Sequence, residues 1–205
     1  MASLDLAARI LSTRESTMSS ILLTAPAAEP LSLVEAKAFL RVEHTADDDV
    51  IAALISASCI HIEAQTRRAL ITQDWRITLD AWPADGRLPI RPAPLRDLTA
   101  ARVYDAGGIA HAVDAQSFVA DTSASALVFA PWALPSPGRL AAGIDVDVVV
   151  GYGDAAADVP EPLRQAIRLL IAHWYENRGL AAVGTVTILP TTVASLIAPY
   201  RMLAL

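Results

Sequence analysis

The stretch SLVEAKAFLRVEHTADDDVIAALISASCIHIEAQTRRA, residues 32–69, is followed within five residues by DWRITLD, residues 74–80, and this change of period decides the fold class. Ser32-Leu-Val-Glu35 has the form of a capping box, in which the Ser hydroxyl accepts from a first-turn N–H and the Glu carboxylate reaches back. It predicts a helix ending near Arg41. Thr45-Ala-Asp-Asp48 repeats the device, and residues 47–49 are all Asp, where a helix dipole favours negative charge. The second helix is expected from about 47 to 69, because Ile51, Leu54, Ile55, Ser58, Ile62 and Ala69 form one apolar stripe. Cys59 borders that stripe and reads as a small buried hydrophobe, not a nucleophile. In 74–80 the period drops to two: Trp75, Ile77 and Leu79 alternate with Arg76, Thr78 and Asp80, the pattern of a half-buried strand.

Working outward, residues 88–95 carry three prolines and read as an edge or connector. Residues 98–104 read as a strand, Asp105-Ala-Gly-Gly108 as a hairpin turn, and 112–120 and 127–130 as weaker strands. Residues 144–150 (IDVDVVV) alternate cleanly, with Asp145 and Asp147 expected to face solvent. A third helix opens at Val159-Pro160 on the stripe Leu163, Ala166, Ile167, Leu170 and Trp174, with Gly179 as its stop. Leu189-Pro190 introduces a last short helix, about 192–198. The expected architecture is α+β: a mainly helical body of about four helices, with a small antiparallel β region inserted between helices 2 and 3. The body takes residues 24–73 and 154–198, the β lobe 74–153, and the C-terminal tail 199–205.

Residues 1–23 read as a flexible arm. Met18 has the look of an alternative start, which would make 1–17 an arm or a translation artefact. Ala25-Pro-Ala27 imitates a signal-peptide cleavage site, but the apolar run at 21–23 is too short for the rest of one. With no apolar run of about 18 residues, no membrane contact is expected. Synthesis in the bacterial cytoplasm is.

Composition narrows the function classes. With 54% hydrophobic and 19% charged residues, the 205-residue chain has ample material for a core. A net charge of -6 argues against gripping phosphates. One cysteine excludes an internal disulfide framework and a Cys-rich zinc site. The positive charge is nearly all Arg beside abundant Ala, the codon signature of a GC-rich genome. His44, His61, His111 and His173 lack metal-ligand spacing. The triple Asp at 47–49 is explained by capping, since neighbouring carboxylates on a helix diverge. Gly151-Tyr-Gly153 lacks both the rest of a dinucleotide fingerprint and its βαβ unit. No nucleophile–base pair emerges, so neither an enzyme nor a cofactor is expected.

What folding does not require is a set of polar and aromatic residues. Trp174, Tyr175, Glu176, Asn177 and Arg178 crowd the end of the third helix and read as a structural motif closing the helical body. Trp132 stands in a proline-rich loop. Pro199, Tyr200, Arg201, Met202, Leu203 and Leu205 make an apolar tail carrying Tyr and Arg, a candidate anchor for another protein.

A family resemblance rests on the order of many elements. They are Thr24-Ala-Pro26, Glu29-Pro30-Leu-Ser-Leu33, Glu35-Ala-Lys-Ala-Phe-Leu-Arg41, Asp48-Asp49, Glu63 with Gln65-Thr66, and Arg68-Ala-Leu-Ile-Thr-Gln73. Then follow Trp75, Leu88-Pro89, Pro94-Leu95, Val149-Val150-Gly-Tyr-Gly153, Val159-Pro160, His173-Trp-Tyr-Glu-Asn-Arg178, Leu189-Pro190 and Pro199-Tyr-Arg201. Over roughly residues 24–202 the chain resembles the head–tail connector proteins (adaptor or head-completion proteins) of long-tailed phages, prophages and gene transfer agents. Within them it resembles the larger subgroup with a β insertion.

The resemblance implies a non-enzymatic virion protein at the head–tail junction. Neighbouring adaptor subunits would form a dodecameric ring under the portal protein, extend the DNA channel and dock the next tail component, a stopper or tail terminator. Double-stranded DNA would pass without sequence-specific binding; the acidic composition, apart from the resemblance, leads to the expectation that Asp or Glu side chains line the bore and repel phosphates. The C-terminal segment from Pro190 onward, with residues 199–205 at its end, is the candidate portal anchor because it is apolar and terminal. The competing reading is a generic protein-interaction module unrelated to virions. Prophage and gene transfer agent both stay open.

Overall fold

A computed structural model describes residues 18–177 and 190–202; Arg178, Gly179, Leu203 and Leu205 fall outside them. The fold is α+β, with two apolar cores.

The helical core is assembled from α1 (Leu33–Leu40), α2 (Asp48–Thr66), α3 (Glu161–Glu176) and α4 (Thr191–Ile197). Ser32 caps α1 as its sequence predicts: its hydroxyl accepts from the Glu35 N–H at 3.2 Å while the Glu35 carboxylate takes the Ser32 N–H at 2.9 Å. The helix ends where Arg41 turns into the left-handed region. The second capping box does not form. Asp47 is the N-cap of α2 but makes no side-chain cap bond, because its carboxylate accepts the Tyr175 hydroxyl and Asp48 is taken by Lys37. α2 also stops at Thr66, short of 69, with Arg67 in the left-handed region. Ile51, Ile55 and Ile62 of α2 interlock with Leu163, Ile167 and Leu170 of α3, all nearly solvent-free. Each such side chain stabilises the fold by about 1.5–3 kcal/mol.

The second core lies in the β part. The main sheet holds β1 (Met18–Thr24), β2 (Gln73–Leu79), β4 (Leu95–Tyr104), β5 (Ala110–Val113) and β8 (Ile144–Val150), in the order β1-β2-β8-β4-β5 with every neighbour antiparallel. A smaller sheet, β3 (Arg87–Pro89), β7 (Ala126–Phe129) and β6 (Phe118–Asp121), packs against it through Leu88, Leu127, Phe118 and Phe129. Ile77, Leu79, Val146, Val148 and Val103 supply the large sheet's side of this core.

Two sequence expectations change here. Residues 18–23, expected in the free arm, belong to β1, which pairs with β2 from Met18 opposite Leu79 to Thr24 opposite Asp74. Asp145 and Asp147 do lie on the face opposite the apolar core, but they are buried, 8% and 7% exposed. Arg76 and Arg102 close over Asp147, and Thr78 and Tyr104 donate to Asp145, so the outer face of the sheet carries a covered ionic lattice.

Candidate interaction surfaces

The tail is tied down as far as it is described. The Met202 N–H donates to the Thr66 carbonyl at 3.1 Å, satisfying an end carbonyl of α2 that the helix itself leaves open. The Arg68 guanidinium donates to the Tyr200 carbonyl at 2.7 Å, and Arg201 reaches Gln65 at 3.0 Å. Pro199 lies in the single helical turn that follows α4. Leu203 and Leu205, the rest of the expected anchor, lie outside the described residues.

The block at the end of α3 is placed against α2. Trp174 meets the His61 ring edge-on at 5.8 Å between centroids, and Tyr175 donates to Asp47. The Asn177 amide donates to the His173 carbonyl at 2.8 Å, while Glu176 is the exposed last residue of the helix. At the opposite end of the molecule, beyond Leu79 and Tyr104, the loops between strands present Trp132, Leu140 and Ile109, which are 89%, 85% and 64% exposed. Gly138 donates to the Tyr104 carbonyl and Arg139 to the Gly108 carbonyl, so Leu140 and Ile109 ride on adjoining loops.

A third surface has no counterpart in the sequence reading. Between β1 and α2 run two open apolar grooves of about 460 and 290 Å³. Met18, Ser20, Ile60, Arg67, Trp75 and Pro92 help line the larger one. Its floor is fixed by Glu63, which accepts from the Leu70 N–H at 2.8 Å and the Gln73 amide at 2.9 Å. Burial pushes the Glu63 carboxyl above the usual carboxylate range, opposed by those two hydrogen bonds. Cys59, at the smaller groove, is 7% exposed, and burial drives its thiol far above the range where thiolate forms. The edge strand escapes a periodicity search because MSSILLT is exposed at every position and has no polar–apolar alternation.

Among the described residues no group of three His, Cys, Asp or Glu side chains is placed to hold a metal. His111 pairs with Asp105 at 2.9 Å, while His44 lies 4.0 Å from Asp47. Among the described residues, none of the three surfaces places a nucleophile against a base.

No family model and no curated protein sequence matches the chain. Solved structures do. A chain of the neck of an empty gene transfer agent (GTA) particle, computed with C6 symmetry, is similar at 27% identity and TM-score 0.76, over 91% of this chain and 97% of that one. A chain of a native GTA virion is similar at 28% identity and TM-score 0.75, over 91% and 96%. A chain of a native GTA neck computed with C12 symmetry is similar at 28% identity and TM-score 0.66, over 90% and 97%. The likeness runs nearly end to end and includes the β part. It agrees with the head–tail connector resemblance drawn from the sequence.

Proposed function

We propose that this chain, built like the neck proteins of gene transfer agent particles, is a structural head-to-tail adaptor that acts as a closed ring of twelve copies. The observation that carries the reading is the near-complete match to neck chains in assemblies of sixfold and twelvefold symmetry. A twelvefold ring satisfies both.

The physical requirements of such a ring agree with the surfaces described. A closed ring needs one face of the subunit to meet an unlike face of its neighbour. An axial connector also needs two unlike ends. This subunit has a helical end carrying the C-terminal tail and a β end carrying Trp132, Leu140 and Ile109. We assign portal attachment to the helical end through Tyr200, Arg201, Met202, Leu203 and Leu205, and docking of the stopper or tail terminator to the β end. The net charge of -6 suits a conduit that repels phosphates and lets double-stranded DNA pass without sequence-specific contact. No step of this role involves bond chemistry.

Negative-stain microscopy of the protein with its cognate portal, and of the protein alone, tests the reading. A ring added beneath the portal is expected. An intact portal that binds nothing would refute the adaptor role.

A further inference from the structure

The larger groove beside α2 combines apolar walls with basic groups. Ile60, 66% exposed, and Trp75 help form the walls, while Arg67, Arg68 and Arg91 bring three guanidiniums to the lining. One carboxylate, that of Glu63, shares the lining, and it is engaged by the Leu70 N–H and the Gln73 amide. Arg67 is exposed just past the last turn of α2. The Nε of Arg91 is buried, and among the described residues it finds no acceptor. A buried guanidinium nitrogen left without an acceptor is costly, and a carboxylate is its strongest partner. The groove therefore has the chemistry of a site for carboxylates carried on an apolar surface.

The chain carries such a surface at the other end of α2. In the corner between α1 and α2, Glu43 and Asp49 are exposed, together with Phe39 and Val50, each 40% exposed. Residues 37–49 hold four carboxylates, Glu43, Asp47, Asp48 and Asp49, against two cations, Lys37 and Arg41, and Lys37 pairs with Asp48. We propose that the larger groove of each copy receives the α1–α2 corner of the next copy, with the carboxylates of Glu43 and Asp49 on the guanidiniums of Arg67 and Arg91. This inference rests on the ring reading above and names the faces that close the ring.

Charge and placement both favour a second copy as the occupant. The groove is net basic and the corner net acidic, and each adds apolar side chains beside its charges: Ile60 and Trp75 in the groove, Phe39 and Val50 at the corner. Opposite charges set beside apolar contact fix the register of two surfaces and exclude the like-charged pairing of groove with groove or corner with corner. The two surfaces also lie at opposite ends of one rigid element. α2 has 19 residues, so about 27 Å of helix separates them, and a single copy cannot bring its own corner to its own groove. When the end of one α2 meets the start of the next in the same sense, the contact joins unlike patches, which is the heterologous geometry of a ring.

The test uses the full-length chain in portal-bound rings. One variant reverses the groove, Arg67→Glu with Arg91→Glu, and another reverses the corner, Glu43→Arg with Asp49→Arg. Each alone is expected to cut ring yield about tenfold or more, because like charges then meet at every contact. An equal mixture of the two is expected to restore rings, since every contact of an alternating ring again joins opposite charges. A chain that had merely lost its fold would not be rescued by mixing. As a second measurement, chains carrying Arg67→Cys are mixed with chains carrying Asp49→Cys and oxidised gently, with the unmodified chain and its buried Cys59 as control. A dimer-sized cross-linked band is expected for the mixture and for neither variant alone; should charge reversal unfold a chain, this band decides. Rings formed at wild-type yield by either reversed chain, or rings of the cysteine mixture without a cross-link, would overturn the contact and leave the ring standing. Two reversed chains that keep the wild-type unfolding midpoint and still fail when mixed would overturn the pairing of these two surfaces. Failure of the wild-type chain to form rings at all would instead refute the adaptor reading, and this inference with it.

Discussion

Replacing Asp147 by Ala removes the centre of the ionic lattice on the outer face of the main sheet. Asp147 is 7% exposed and accepts from Arg76 through Nε at 2.6 Å and Nη2 at 2.9 Å, and from Arg102 through Nη1 at 2.7 Å. Breaking a buried pair by removing one partner typically costs about 3–5 kcal/mol. Here the Arg76 and Arg102 side chains are 30% and 34% exposed, so water recovers part of their hydration, and Asp145 remains 3.8 Å from Arg76. The expected loss is about 2–3 kcal/mol, or about 4–12 °C in melting temperature for a chain of this size. The pH dependence supplies a second signature. Hydrogen bonds from Arg76, then Arg102, hold the Asp147 carboxyl below its ordinary value of 3.8. A depressed native pKa gives stability that is complete above the unfolded pKa and is lost as pH falls through the native one. The gap between wild type and Asp147→Ala, read from urea unfolding midpoints, should therefore be constant from pH 7 to about 5 and narrow below about pH 4. A gap under about 0.5 kcal/mol at pH 7, the size of an ordinary surface substitution, would show that the lattice around Asp147 adds no stability. A gap that does not change between pH 5 and pH 3 would show the same of the Asp147 charge.

Three other predictions concern the grooves and the tail. Glu63→Gln keeps an acceptor for the Leu70 N–H and the Gln73 amide while removing a buried charge, so it should be neutral or stabilising at pH 7. Glu63→Ala should cost about 1–3 kcal/mol by orphaning both donors, as measured by thermal unfolding. Because the Glu63 carboxyl is raised, its contribution is complete below the unfolded value near 4.5 and is lost as pH rises through the native one; Glu63→Gln should flatten that part of the pH–stability curve. Cys59 should resist thiol reagents at pH 8 in the folded chain and react on denaturation; fast labelling of the native protein would contradict its burial. Truncation after Met202 should weaken portal attachment without changing the melting temperature. Truncation after Ala198 should also lose about 1 kcal/mol, because the Thr66 carbonyl and the Arg68 guanidinium lose their partners.

The sequence made the helical half legible because its signals are local. The Ser32–Glu35 box and the three- and four-residue stripes of α2 and α3 need no knowledge of the rest of the chain. The β half was legible in kind but not in extent. β2 and β8 declared themselves by alternation, whereas β1 is an edge strand exposed along its length and takes its place only through pairing with β2. Asp145 and Asp147 show the limit of the period-two argument. Alternation correctly puts them on the face away from the apolar core, but only the registry of Arg76, Arg102 and Tyr104 on the flanking strands shows that this face is covered. The second capping box failed for a similar reason, since long-range partners took the carboxylates that a local reading assigned to the helix end. Of the candidate surfaces, Trp132 and the tail stand out in the sequence, although Tyr200 of the tail packs against the helical core. The groove between β1 and α2 does not, because its walls lie some forty residues apart in sequence.

A ring of twelve copies on the portal is tested by the mass of that complex. Twelve chains of 21.7 kDa would add about 260 kDa to the intact portal, as read by native mass spectrometry or mass photometry. That increment is expected in a single step, with no stable species carrying only a few copies. An increment corresponding to one or two chains per portal, or no increment at all, would contradict it.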